Sequence, residues 1–110
     1  MKPQIQKRLE RAGWRIGEAG DFLELTEDER RFVEMKLALA GGVRECRQRH
    51  GLTQAALARR LRSSQSRVAK IEAADRTVSL DLLVRALLAL GATRQEVARL
   101  IRSSDRVRAA

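Results

Sequence analysis

From residue 26 onward, apolar positions recur every three or four residues, the period of an amphipathic helix. Phe32, Met35 and Leu39 keep this spacing, with Val33, Leu37 and Ala40 beside them. Ahead of them stands Thr26-Glu27-Asp28-Glu29. In this capping box the threonine oxygen accepts from the backbone at Glu29, and three acidic residues complement the positive end of the helix dipole. Gly41-Gly42 either ends this helix or only softens it. Helical character resumes over residues 43–50, and Gly51 is a suitable stop.

The rest of the pattern predicts four further helices separated by short connections. Thr53 caps a helix over 54–61, a turn follows at Arg62-Ser63, and Ser64 caps a helix from 65 to about 73. After a loop at Asp75-Arg76-Thr77, Ser79 caps a strongly apolar helix over 80–90 that Gly91 ends. Thr93-Arg94-Gln95-Glu96 is a second capping box, opening a last helix to about Ile101. No segment alternates with the period of a half-buried strand, so an all-α domain is expected.

The first residues read differently. A short amphipathic stretch carries Ile5 and Leu9 four apart, and Gly13, Gly17 and Gly20 then interrupt any regular element. Trp14 and Ile16 sit between those glycines. Residues 1–25 are therefore expected to be an arm that docks only partly, or a mobile terminus. Residues 26–103 form the helical domain, and 104–110 a frayed basic tail that continues the charge of Arg102 with Arg106 and Arg108.

Composition sharpens this picture. With three aromatics in 110 residues, the core must be built from Leu, Val, Ile and Ala, which suits small, closely packed helices. Net charge is +9, mostly arginine, which draws a domain to polyanions and above all to nucleic acid, although a merely soluble or ribosome-associated basic protein has the same balance. Residues 21–40 sum to −3 while every other part of the chain is basic, so this segment is not expected to face nucleic acid. One cysteine, Cys46, makes no internal disulfide and no metal cluster, and in a helical pattern it reads as a packed or half-exposed thiol. One histidine, no paired carboxylates and no phosphate-binding loop argue against an enzyme, and no cofactor or metal is expected. There is no signal peptide pattern and no apolar run of membrane-spanning length, so a cytoplasmic location is the default. RNA is disfavoured because the basic half has almost no aromatics to stack on bases.

The chemistry concentrates in Thr53–Glu72. Two helices crossing near a right angle need a small residue where their backbones meet, and Ala58 supplies it. Leu57, Leu61, Val68 and Ile71 make the shared apolar face, with the stiff, β-branched Val68 at the contact. Gln65, Ser66, Arg67, Ala69 and Lys70 are left outward, offering hydrogen bonds and positive charge without a large apolar side chain, as entry into a major groove requires.

Leu-Thr-Gln, then Leu-Ala, then Ser-Gln-Ser-x-Val-x-x-Ile-Glu at these spacings resembles the phage-repressor and Cro-like (XRE) helix-turn-helix regulators, over roughly residues 43–101. The resemblance implies a five-helix repressor-like domain, here with an extra N-terminal helix and arm. It implies a helix-turn-helix at 53–73 and a sequence-specific DNA-binding regulator, a repressor binding a palindromic operator as a homodimer. The helix over 80–90, the last helix and the helix carrying Phe32 and Met35 are candidates for the dimer interface. By the same resemblance Gln54 contacts backbone phosphate and braces the recognition helix, and Ser64 caps that helix close to phosphate. Gln65, Ser66 and Lys70 reach base edges, and Arg67 touches base or phosphate. Arg47 and Glu72 form a structural salt bridge and are not DNA contacts. Two departures stand out. Arg62 occupies the turn position where the family often has glycine, and Ala73-Ala74-Asp75 replaces a frequent Asn-Gly. The acidic extra segment also resembles antitoxins with this DNA-binding domain, which mask a small basic ribonuclease toxin and repress their own operon.

Overall fold

The computed structural model describes residues 25–104. The expected arm over residues 1–24, with Ile5, Leu9, Trp14 and Ile16, and the tail from residue 105 lie outside the described residues. The described residues form five helices and no strand: α1 (Glu27–Arg49), α2 (Gln54–Arg60), α3 (Gln65–Glu72), α4 (Leu80–Ala89) and α5 (Arg94–Arg102). Their ends agree with the sequence pattern to within a residue or so, as fraying helix ends allow.

Each helix begins on a hydroxyl. Thr26, Thr53, Ser64, Ser79 and Thr93 accept from the backbone N–H three residues on, at 3.0–3.2 Å. At the first of these caps the Thr26 hydroxyl also donates to the Glu29 carboxylate at 3.0 Å.

The four helices followed by another helix also end alike. The residue after the C-cap takes a positive φ: Gly51 at 67°, Arg62 at 53°, Ala74 at 54° and Gly91 at 88°. Its N–H and that of the next residue fold back onto the preceding turn. Gly51 donates to Gln48 and Leu52 to Arg47, Arg62 to Arg59 and Ser63 to Ala58, Ala74 to Ile71 and Asp75 to Lys70, and Gly91 to Leu88 and Ala92 to Leu87. This is the Schellman closure, and it satisfies the carbonyls that a helix end leaves unpaired. A residue with a Cβ is strained there by about 1 kcal/mol relative to glycine. The two departures from the family pattern therefore keep the glycine geometry and accept the strain.

The glycine pair resolves in favour of one continuous helix. α1 runs through Gly41 and Gly42 without a break, so the extra N-terminal helix is the first part of the domain's own first helix. The physical reason is a close approach rather than a helix stop. A Cβ on Gly42 would overlap the Leu100 side chain, so the missing side chain lets α5 lie against α1. The middle of α1 is enclosed, with Leu37, Leu39, Ala40 and Val43 essentially inaccessible, and α3, α4 and α5 pack around it. Leu57, Val68, Ile71, Leu83 and Leu87 complete the interior, and Ala58 is buried at the α2–α3 crossing. Leu61 packs against this core while only half-buried. Cys46 is a buried free thiol that accepts from the Arg49 guanidinium at 3.1 Å.

One part of the apolar pattern on α1 does not lead inward. Val33 and Leu37 are buried, Met35 is half-buried, and Phe32 is 47% exposed with the Lys36 ammonium 5.9 Å from its ring centroid. The line through Phe32 and Met35 reaches the interior only at Leu39, while Val33 and Leu37 beside it are already buried.

The α1–α5 contact gives a test of the packing. Gly42→Val inserts a branched side chain where Leu100 lies and should destabilise the domain by about 1–3 kcal/mol. Urea denaturation followed by circular dichroism measures it, and an unchanged midpoint would refute the close approach.

Candidate nucleic-acid interface

α3 is eight residues long, and its sequence divides it cleanly. Val68 and Ile71 are fully buried and fix the inner face, while Ser64, Gln65, Ser66, Arg67, Ala69 and Lys70 are all exposed. The outer face thus carries an amide, hydroxyls, a guanidinium and an ammonium, with one methyl group, and no acidic side chain lies between Ser64 and Lys70. Such a surface fits the donor and acceptor edges of a major groove and the phosphates beside it.

The other end of α3 is tied down. Glu72 accepts from Arg47 on α1 through two parallel bonds, Nε to Oε2 at 2.5 Å and Nη2 to Oε1 at 3.0 Å. The third guanidinium nitrogen, Nη1, donates to the Leu52 carbonyl at 2.8 Å. Both side chains are largely sequestered, at 12% and 5% exposure. The bond to Glu72 raises the Arg47 pKa above its already high ordinary value, so the guanidinium stays charged at any working pH. Gln54, at the first position of α2, donates its Nε2 to Glu72 Oε1 at 3.3 Å. Side chains from α1 and α2 therefore meet on one carboxylate of α3, which sets the angle at which α3 leaves the core. Gln54 Nε2 carries a second N–H, so the bond to Glu72 leaves a donor on a half-buried side chain.

Beside α3, the connection to α4 adds a residue that the sequence reading passed over. Ser64, Ser66, Arg67 and Lys70 share a cleft of about 220 Å³ with Thr77, Val78 and Leu82. Thr77 is held there by Asp75, whose Oδ1 accepts from the Thr77 amide at 2.9 Å and its hydroxyl at 2.7 Å. These bonds hold the Asp75 carboxyl below the usual carboxylate range, so the loop keeps its shape until the pH falls well into the acid range. The Asp-x-Thr spacing is an Asx-turn signature and is the signal by which Thr77 is found. Arg59, Arg60 and Arg62 are exposed at the end of α2 and in the turn.

Residues 43–97, half of the chain, match the family model described as Helix-turn-helix. The chain belongs to the XRE-type helix-turn-helix family. As a member it is a DNA-binding transcriptional regulator, and α2 and α3 both lie within the matched residues. The match opens inside α1, so the first two thirds of that helix precede the shared helix-turn-helix domain. No curated protein and no solved structure matches this helix-turn-helix chain. Among the described residues, no helix is long and apolar enough to cross a membrane, and no three His, Cys, Asp or Glu side chains are grouped to hold a metal ion.

Removing one member of the Arg47–Glu72 pair leaves the other charge sequestered and unpaired. Glu72→Ala should destabilise the domain by about 3–5 kcal/mol, the usual loss when a buried ion pair is broken from one side. Because the pair is shielded from solvent, the stability lost on Glu72→Ala should change little with added salt. Thermal denaturation at low and high ionic strength measures both, and a Glu72→Ala protein that melts with the parent would refute the clamp.

Proposed function

We propose that this regulator is a sequence-specific repressor that binds a palindromic operator as a homodimer, working in the cytoplasm. The observation that carries the reading is the division of α3, anchored by Val68, Ile71 and the Glu72 clamp while Gln65, Ser66, Arg67 and Lys70 stand free. Gln65, Ser66 and Lys70 meet base edges, and Arg67 contacts a base or the adjacent phosphate. Ser64 and Gln54 position the helix on the backbone, Gln54 using the N–H that Glu72 leaves unused. Thr77, lining the same cleft, adds a hydroxyl beside them. A two-fold pair of such helices reads half-sites about one turn of DNA apart, so the operator is symmetric.

Selection of bound duplexes from random-sequence DNA should return an inverted repeat. Gln65→Ala should then weaken binding to it by roughly 1–3 kcal/mol and relax preference at the matching position. An asymmetric single half-site would overturn the dimer, and unchanged preference in Gln65→Ala would overturn the assignment of the reading face.

A second activity is favoured by the start of α1. Leu25, Phe32 and Val33 line an apolar hollow of about 310 Å³ bordered by Asp28 and Glu29. An apolar hollow with an acidic rim suits a basic partner with an apolar anchor. On this reading the chain is the antitoxin of a type II toxin–antitoxin pair, neutralising a small basic ribonuclease toxin and repressing its own operon. Co-expressed with its genomic neighbour, it should purify with a small basic protein, and Phe32→Asp should abolish that association while DNA binding persists. Purification of the chain alone would overturn the antitoxin reading and leave the repressor reading standing.

A further inference from the structure

The four helix closures share one backbone geometry but differ in what occupies the strained position. Gly51 and Gly91 adopt a positive φ freely. Ala74 does not, but its methyl is buried in the core, so packing offsets the strain. Arg62 has neither excuse. Its side chain is exposed, adds nothing to the core, and makes no hydrogen bond or ion pair with any other described residue. Arg59 and Arg60, three and two positions earlier on the last turn of α2, are exposed and equally unpartnered among the described residues. Three arginines therefore lie within four residues at one exposed turn, where their like charges add up unfavourably in the free protein. Two residues further on is Ser64, the cap of α3, with Gln65 behind it. A strained, self-repelling cationic turn destabilises the fold unless an anion arrives to neutralise it.

We propose that Arg62 is a DNA-backbone contact of this chain, its guanidinium docking on a phosphodiester next to the bases met by α3, with Arg59 and Arg60 raising the positive potential around it. The planar, forked guanidinium matches two phosphate oxygens at once, which glycine at this position cannot do. The strain at the turn is thus exchanged for affinity. This inference rests on the reading of α3 as the recognition helix.

The test pairs two substitutions, Arg62→Gly and Arg62→Gln, on the duplex recovered by selection. Binding is measured by fluorescence anisotropy over a salt series, and stability by thermal melting. Arg62→Gly relieves the strain and removes the charge, so it should melt higher than the parent yet bind roughly three- to tenfold more weakly at low salt. Its slope of log affinity against log salt should be shallower by about one per bound chain. Arg62→Gln keeps the strained Cβ and loses the charge, so it should melt between the parent and Arg62→Gly and show the same loss of affinity and slope. Parent affinity and slope in either variant would overturn the proposal. Weaker binding with an unchanged slope would also overturn it, by tracing the effect to the shape of the turn. If the parent itself selects no duplex, the recognition-helix reading fails first, and that failure is seen in the unmutated protein.

Discussion

The placement of α3 depends on one carboxylate. An eight-residue helix is too short to persist by its own hydrogen bonds, and the outer face of α3 has no apolar surface with which to hold itself to anything. Val68 and Ile71 press it onto the core, but two side chains less than a turn apart define a contact and not an orientation. Orientation comes from Glu72, which receives Arg47 from α1 and Gln54 from α2 at once. Buried charge pairs of this kind add little net stability against a well-packed apolar alternative, and their better-attested use is to specify one arrangement among several. Here the arrangement specified is a helix fixed at its last turn, with its first turn free to meet a partner.

The connections show how much of the geometry is carried by the backbone. Hydroxyl caps at the start and left-handed closures at the end make the inter-helix links short and alike, and they leave few unpaired backbone groups. The consequence is that few side chains beyond the caps and the Asp75–Thr77 bonds are needed to hold these links. The chemistry of the others is available for other uses, as it is at Arg62.

Most of the helical frame was legible in the sequence, because caps and apolar periodicity are local signals. Thr26, Thr53, Ser64, Ser79 and Thr93 announce helix starts through chemistry acting over three residues, and Gly51 and Gly91 mark stops. The outward face of α3 was legible for the same reason. What lies across the fold was not. Gly42 reads as a helix softener until α5, nearly sixty residues later, supplies the Leu100 that needs its space. Periodicity alone aligned Phe32 with Met35 and Leu39, although Phe32 stands outside while Val33, Leu37 and Leu39 are buried, since nothing local states which side the other helices occupy. The meeting of Arg47 and Glu72 was expected only through the family resemblance, because charge and spacing say nothing about a partner 25 residues away. Thr77 was hidden in a loop read as a connector, although its hydrogen bonds to Asp75 are local.

The uninterrupted course of α1 has a mechanical meaning. At about 1.5 Å per residue, Phe32 stands roughly 22 Å along the helix axis from Arg47, and the helix between them is unbroken, with Leu100 of α5 set against Gly42. The helix is a ruler with one end set in the DNA-reading frame. Whatever is held at its far end is carried at a set distance and bearing from the duplex. Lengthening the ruler by a single residue would also swing that cargo by about 100° around the axis.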